Sequence, residues 1–259
     1  MFSINMNEPE WNAYLEQFSF SCKENIEIPK DTNKFCVIIE PRIHEKLLLV
    51  VKNFMYLLAK KGWGLIIFHG TQNESYVKSL NCENIIYINM QLENITSREY
   101  SDMLCSHEIW KTLLELRCKH ALIFQTDTVL LKDTIDDFLE YDYVGAPWCL
   151  QWLSFLNAKF KVGNGGLSLR NVQKMYDTTM DCSRTISTIY GDIPLQNEDI
   201  YFSYYLEKTN ANIPSIEVAS KFSVETIYNN DTCGMHQPHL DKFPDRESFA
   251  KLLSKRYFE

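Results

Sequence analysis

The chain has 259 residues, with 26 Lys plus Arg against 34 Asp plus Glu and a formal net charge of −8. At 45% hydrophobic and 23% charged it lies in the globular range, which excludes a disordered or fibrous polymer. The acidic balance excludes a general nucleic-acid binder, which would carry clustered basic charge.

No apolar run reaches the ~18 residues that a transmembrane helix requires, so no membrane-spanning segment is expected. The first residues, MFSINMNEPEWN, lack the charged and apolar regions of a signal peptide, and a cytoplasmic location follows as the expectation. The 8 cysteines form no CxxC pair and are expected to be reduced and buried. With only 9 glycines in the chain, a glycine cluster is informative.

Residues 1–33 are polar and irregular, with a short helix expected around 11–18, and read as an extension packed on the main domain. The run FCVIIE at 35–40 suits a strand buried on both faces. Over 43–60, Leu47, Val50, Val51, Phe54, Leu57 and Leu58 share one helical face, and Gly62 supplies the stop. A strand at 63–68, a helix at 74–80, a strand at 84–88, one long helix over about 97–119 and a strand at 121–125 follow. This alternation predicts βαβ units, hence an α/β fold with a Rossmann-like, mostly parallel central sheet flanked by helices. The second half is less regular: a helix near 134–139, strands at 143–146 and within 163–170, helices from 171 and 197, and short strands with a terminal helix in 220–259. No linker or repeat divides residues 34–259, which read as one domain with halves 34–131 and 132–259.

In such sheets ligands bind beyond the carboxyl ends of the strands. The polar residues found there are Glu40 and Arg42, His69, and Gln125 with Asp127. Asp127 follows a strongly apolar strand; it either caps the next turn or meets a hard cation bridging to phosphate. VGNGGLSLR at 162–170 holds three glycines without the spacing of a dinucleotide or NTPase loop, and a strand rather than a helix follows. Gly165 and Gly166 therefore read as a close approach to substrate or as a tight bulge. NEDIYF at 197–202 places Glu198 and Asp199 at a helix start with Asn197 as candidate cap, suited to dipole stabilisation or to general-base work. His236 in GMHQPH is a candidate ligand for a metal or phosphate. Trp148 and Trp152 are core residues or a stacking surface for an acceptor. HExxH and GxSxG are absent, which disfavours a metalloprotease and an α/β-hydrolase.

The succession VIIEPR, LIFQTDTVLL, YDYVGAPW, VGNGGLSLR, NEDIYF, KFSVE and GMHQ, spread over roughly 35–240, resembles the DUF5672 family. Such proteins look like nucleotide-sugar-dependent glycosyltransferases of the GT-A fold. The resemblance implies a donor-binding first half and an acceptor-binding second half. It puts Asp127 at the last position of a DxD motif that holds Mn²⁺ or Mg²⁺ and the donor diphosphate, with His236 completing the metal site. Gln125 replaces the first Asp of that motif. Glu40 and Arg42 would lie near the nucleotide, and Gly165 and Gly166 at the donor–acceptor junction. The Glu198–Asp199 pair would provide the catalytic base, Asp199 foremost. The partners implied are a nucleoside-diphosphate sugar and a glycan or other hydroxyl acceptor. A sugar nucleotidyltransferase and a non-catalytic sugar-binding module are the alternatives. The first should carry a Gly- and Lys-rich loop near the amino terminus, and 35–45 contains no Gly.

Overall fold

The apolar, β-branched runs of the first half form strands covered on both faces, as a parallel sheet requires. The computed structural model describes residues 8–148, 161–188 and 191–258. The chain opens with α1 (Pro9–Glu16) and α2 (Cys22–Asn25), then runs β1 (Lys34–Glu40), α3 (Leu47–Leu58), β2 (Gly64–His69), α4 (Glu74–Lys78) and β3 (Ile85–Asn89). Next come α5 (Ser97–Leu104), α6 (His107–Glu115), β4 (His120–Phe124) and β5 (Thr128–Leu130). The second half contributes β6 (Tyr143–Gly145), β7 (Leu167–Asn171), α7 (Val172–Asp181), β8 (Thr185–Thr188), β9 (Gly191–Pro194) and α8 (Glu198–Lys208). It closes with α9 (Ile216–Phe222), β10 (Ser223–Val224), β11 (Gly234–His236) and α10 (Arg246–Leu252).

The central six-stranded sheet has the order β3-β2-β1-β4-β7-β6. β3, β2, β1 and β4 are parallel, while β7 runs against both β4 and β6. The chain steps outward from β1 to β2 and β3, then returns to β4 on the other side of β1. That reversal of strand order opens a crevice beyond the ends of β1 and β4. The expected Rossmann-like, mostly parallel sheet flanked by helices is therefore present.

Alternation along β1 feeds two cores. Cys36 and Ile38 pack under α3, where Phe54 stacks on Phe124 with ring centroids 4.1 Å apart. Phe35, Val37 and Ile39 face Trp110 and Leu113 of α6 and Phe202 of α8. Trp11, Tyr14 and Phe18 are fully buried in the α3-side core.

A three-stranded sheet, β10-β11-β5, stands beside the main one. β11 pairs antiparallel with β5, setting His236 opposite Thr128. Asn53, fully buried on α3, holds β5 in place. Its Nδ2 donates to the Leu130 carbonyl at 2.9 Å, and its Oδ1 accepts from the Leu130 N–H at 2.7 Å.

Several elements differ from expectation. The helix expected over 97–119 is two, because Ser106 caps α6 by accepting from the Glu108 N–H at 3.2 Å. Residues 134–138 form a 3₁₀ turn, and KFSVE carries the end of α9 into the short β10. β5, the β8–β9 pair and α9 have no counterpart in the sequence reading. Asn197 occupies the N-cap position of α8, but its side chain makes no capping bond. The cysteine expectation is corrected too: Cys22 and Cys82 form a disulfide, with Cα atoms 6.0 Å apart. The polar stretch after α2 lies along the segment before β3, where Asn84 Nδ2 donates to the Ile28 carbonyl at 2.9 Å, and this brings the two thiols together. Among the described residues no helix is long and apolar enough to cross a membrane.

Asn53→Leu leaves the Leu130 N–H without its partner in a dry interior and leaves the Leu130 carbonyl to the Tyr14 hydroxyl alone among the side-chain donors of the described residues. It is expected to lower unfolding free energy by roughly 1–3 kcal/mol, read from urea denaturation midpoints at constant slope.

Candidate active site

The crevice at the ends of β1 and β4 is a cavity of about 510 Å³. β1 delivers Glu40 and Arg42 to its wall, and the turn after β4 delivers Gln125 and Asp127. The glycine loop before β7 contributes Asn164, Gly165 and Gly166, and the start of α8 contributes Glu198 and Asp199. β11 and the residue after it add His236 and Gln237, while Thr96, Arg98 and Tyr100 come from α5 and its cap. The sequence-predicted residues thus converge here, except His69. That imidazole is buried outside the cavity wall, with Nδ1 2.7 Å from the Gly70 carbonyl oxygen. Trp148 is buried and also absent from the wall, and Trp152 lies outside the described residues.

Near β1, Glu40 takes both an Nε and an Nη2 bond from Arg42, at 2.8 Å each. These bonds raise the Arg42 pKa. Asn73, fully buried, donates to the carbonyls of Glu40 and Arg42 at 2.8 Å each and fixes the bend that carries them.

Beyond β4, pairing of β11 with β5 sets His236 against Asp127, with Nε2 3.5 Å from Oδ1. The other ring nitrogen lies 3.4 Å from Glu225 Oε1. Glu225 Oε2 in turn accepts from Asn164 Nδ2 at 2.5 Å, and Asn164 Oδ1 accepts from the Gly166 N–H at 3.1 Å. Burial alone would lower the His236 pKa, but the Asp127 and Glu225 carboxylates outweigh it and hold it at about 9. Gln237, in the left-handed region at φ 34°, donates through its side chain to Asp127 Oδ2 and through its N–H to the Asp127 carbonyl at 3.2 Å.

Across the glycine loop, Glu198 Oε1 accepts from buried Arg170 Nη2 at 2.7 Å. Asp199 accepts at Oδ1 from the Ile200 N–H at 2.7 Å and lines the cavity. Burial and then the adjacent Glu198 charge raise the Asp199 pKa to about 8, against the pull of that N–H and of Arg170.

The glycines have a definite steric reason. A Cβ on Gly166 would stand 2.1 Å from His236 Nε2, and one on Gly165 would stand 2.2 Å from Glu198 Oε1. The space a side chain would fill is occupied by the imidazole and carboxylate of the site itself.

Among the described residues no group of three or more His, Cys, Asp or Glu is arranged to hold a metal. Asp127 Oδ1 and His236 Nε2 are nevertheless both buried without a hydrogen-bond partner and face each other. A carboxylate oxygen and an imidazole nitrogen fit a divalent cation whose remaining positions are filled by phosphate oxygens and water. Glu225 behind the imidazole is the orienting carboxylate such a ligand usually carries.

Sequence reasoning singled out neither Asn164, Gln237 nor Tyr100, and it assigned Glu225 no role. Each acts through a contact made across the fold; Gln237, directly after His236, was the nearest to a visible signal.

Fold and site together define an α/β protein with an acidic cleft at the carboxyl edge of a Rossmann-like sheet. The DUF5672 family, described as proteins of unknown function, matches residues 84–237, more than half of the chain, and the chain belongs to it. The matched segment contains Asp127, the glycine loop, Asp199 and His236. No curated protein matches. Among solved structures, the chain is similar to the apo structure of the bifunctional glycosyltransferase WbbM. Sequence identity is 9% and the TM-score 0.49, with 90% of this chain and 51% of that one covered. The chain therefore spans about half the length of that protein.

Gly166→Ala forces the His236 ring from its place against Asp127. It is expected to cost about 0.5–3 kcal/mol of stability and to shift the His236 imidazole resonances in NMR spectra.

Proposed function

We propose that this chain is a glycosyltransferase of GT-A type that moves a sugar from a nucleoside-diphosphate sugar to an acceptor hydroxyl with inversion. One observation carries the reading: a single cleft holds the facing Asp127–His236 pair on one side of the glycine loop and the cavity-lining Asp199 on the other. Residues 34–131 supply the donor wall, joined at the diphosphate by His236 of the second half, and the rest of 132–259 the acceptor side. The cleft's volume of about 510 Å³ is within the usual range for small-molecule sites.

Asp127 Oδ1 and His236 Nε2 would hold Mn²⁺ or Mg²⁺, with Glu225 orienting the imidazole and Gln237 occupying the other Asp127 oxygen. When bound, such a cation stabilises charge growing on the leaving diphosphate. Arg42, half exposed at the cavity wall, lies on the nucleotide side with Glu40. The acceptor oxygen attacks the anomeric carbon as the bond to the diphosphate breaks on the opposite face. The hydroxyl proton passes to the Asp199 carboxylate, a contribution typically worth ~10²–10⁴-fold. A carboxyl whose pKa is raised toward the working pH is matched to that task.

The decisive experiment is thermal-shift screening against a panel of nucleotide sugars with and without Mn²⁺, because a bound donor raises apparent stability by mass action. Stabilisation by one donor class, enhanced by Mn²⁺ and lost in Asp127→Ala, is expected; indifference to every donor would overturn the reading. Asp199→Asn should retain donor binding while turnover falls by about 10²–10⁴-fold. Undiminished turnover in that variant would remove Asp199 as the base, whereas donor binding without any transfer by the unsubstituted chain would indicate a non-catalytic binding module.

The pH dependence has a definite sign. A base must be ionised to accept a proton, so a raised pKa makes turnover climb as pH rises through about 8 and level off above it. A rate profile flat from pH 6 upward would remove Asp199 from the role.

A further inference from the structure

Arg170 is fully buried, and its charge is met by one carboxylate, Glu198, at 2.7 Å. The guanidinium also lies among the rings of Tyr143, Phe202 and Trp110, 4.9, 5.4 and 5.7 Å from their centroids. Its Nε donates to Ser168 Oγ at 2.9 Å, and that hydroxyl donates to the Gly165 carbonyl at 3.1 Å. Glu198 closes the circuit, because its carboxylate occupies the space where a side chain at position 165 would stand. β7, the glycine loop and the first turn of α8 are thereby tied into one ring of contacts. Asp199 is the next residue on that turn, and no ion pair or side-chain partner ties down its own carboxylate among the described residues.

The adjacent carboxylates therefore have different tasks set by different surroundings. Glu198 is committed to Arg170, and breaking that pair would leave a charge unbalanced in a dry interior. Asp199 carries no such obligation. We propose that Arg170 and Glu198 are positioning residues whose buried ion pair clamps the start of α8 onto the glycine loop and so presents Asp199, and not Glu198, as the proton acceptor of the cleft. The inference rests on the glycosyl-transfer reading only for what Asp199 does; the clamp itself stands on the contacts above.

The clamp is tested without substrate, on the free chain of 259 residues. The charged and titratable groups facing Asp199 are Glu198 on its own helix, Arg170 and Tyr143 from the central sheet, Glu225 after β10, and His236 on β11. ¹³C-carboxyl NMR follows the Asp199 titration, its resonance being identified by its loss in Asp199→Asn. Glu198→Gln keeps the shape and an oxygen acceptor for Arg170 but removes the neighbouring like charge. Its expected effect is a fall of about one pH unit in the Asp199 midpoint. An unchanged midpoint in folded Glu198→Gln overturns the proposal.

Should Glu198→Gln not fold, the double variant Arg170→Met with Glu198→Met leaves no buried charge unpaired. There, amide hydrogen exchange in the first turn of α8 is expected to quicken at least about tenfold relative to the sheet amides. Unchanged protection overturns the clamp. Undiminished turnover in Asp199→Asn would instead overturn the base assignment and leave these two measurements standing.

Discussion

The cleft depends on the antiparallel pairing of β11 with β5. Without it, His236 has no reason to be near Asp127, because the two residues are separated by most of the second half of the chain. The pairing is short, three residues on each strand, and short ladders need support from outside. Asn53 provides it from α3, in the central core, by satisfying both polar groups of Leu130. The Tyr14 hydroxyl donates to the same carbonyl, which brings α1 into the support. The site is thus braced through β5 by the same helix that packs on the main sheet. Disturbance of the α3-side core would reach Asp127 before it reached Asp199.

The opposite wall obeys a different constraint. Asp199 is held by its position on a helix turn, and that turn is tied to β7 through Arg170 and Glu198. The glycine loop lies between the two walls and touches both, with Gly166 against His236 and Gly165 against Glu198. Its glycines let charged groups of the chain approach the backbone, an approach that any larger side chain would block. This gives a physical account of Gly165 and Gly166; Gly163, the third glycine of the cluster, stands instead at φ 126° against Ser203 and Tyr143. The close approach at Gly165 and Gly166 also refines the expectation that the loop mainly admits substrate.

Much of the sheet was legible because its strands are continuous apolar runs ending in polar residues, as β1 does at Glu40 and β4 does before Gln125. The search for polar residues after such strands led to Asp127 and Arg42. It failed for His69, whose strand also ends at the crevice side but whose imidazole is taken up by the Gly70 carbonyl. The break between α5 and α6 was missed because the apolar periodicity continues across it, and only the serine cap marks it. β5 had no counterpart, and β11 was foreseen only as one of the short strands in 220–259, because three residues carry too little periodicity to fix a strand's place. The roles of Glu225, Asn164 and Arg170 were hidden for a further reason: each is defined by a partner distant in sequence, which no local pattern encodes.

Charge accounting links the cleft to the anionic ligand proposed for it. Glu40 is matched by Arg42, Glu198 by Arg170, and Asp127 with Glu225 share His236. Arg98 at the rim faces Asp102 at 3.4 Å, which also pairs with Arg184. Among the described residues lining the cleft, the cations are therefore already engaged by carboxylates of the chain, in a protein whose net charge is −8. A diphosphate entering such a cleft meets little uncommitted positive charge. Two routes would supply it. Arg98 would exchange its exposed contact with Asp102, worth little in water, for a phosphate, whereas Arg42 would have to leave the buried Glu40 carboxylate unpaired. Alternatively, a divalent cation would arrive with the diphosphate, displace the proton that Asp127 and Glu225 favour on His236, and take the Asp127 oxygen and the freed imidazole nitrogen as ligands. The second route also relieves the repulsion between the diphosphate and Asp127, which the first leaves in place. If Gln125 takes the place of the first Asp of a DxD motif, as the resemblance implies, the protein would present fewer anionic ligands and more of the cation's coordination would fall to the diphosphate. In that arrangement metal and donor would bind cooperatively, each weak alone.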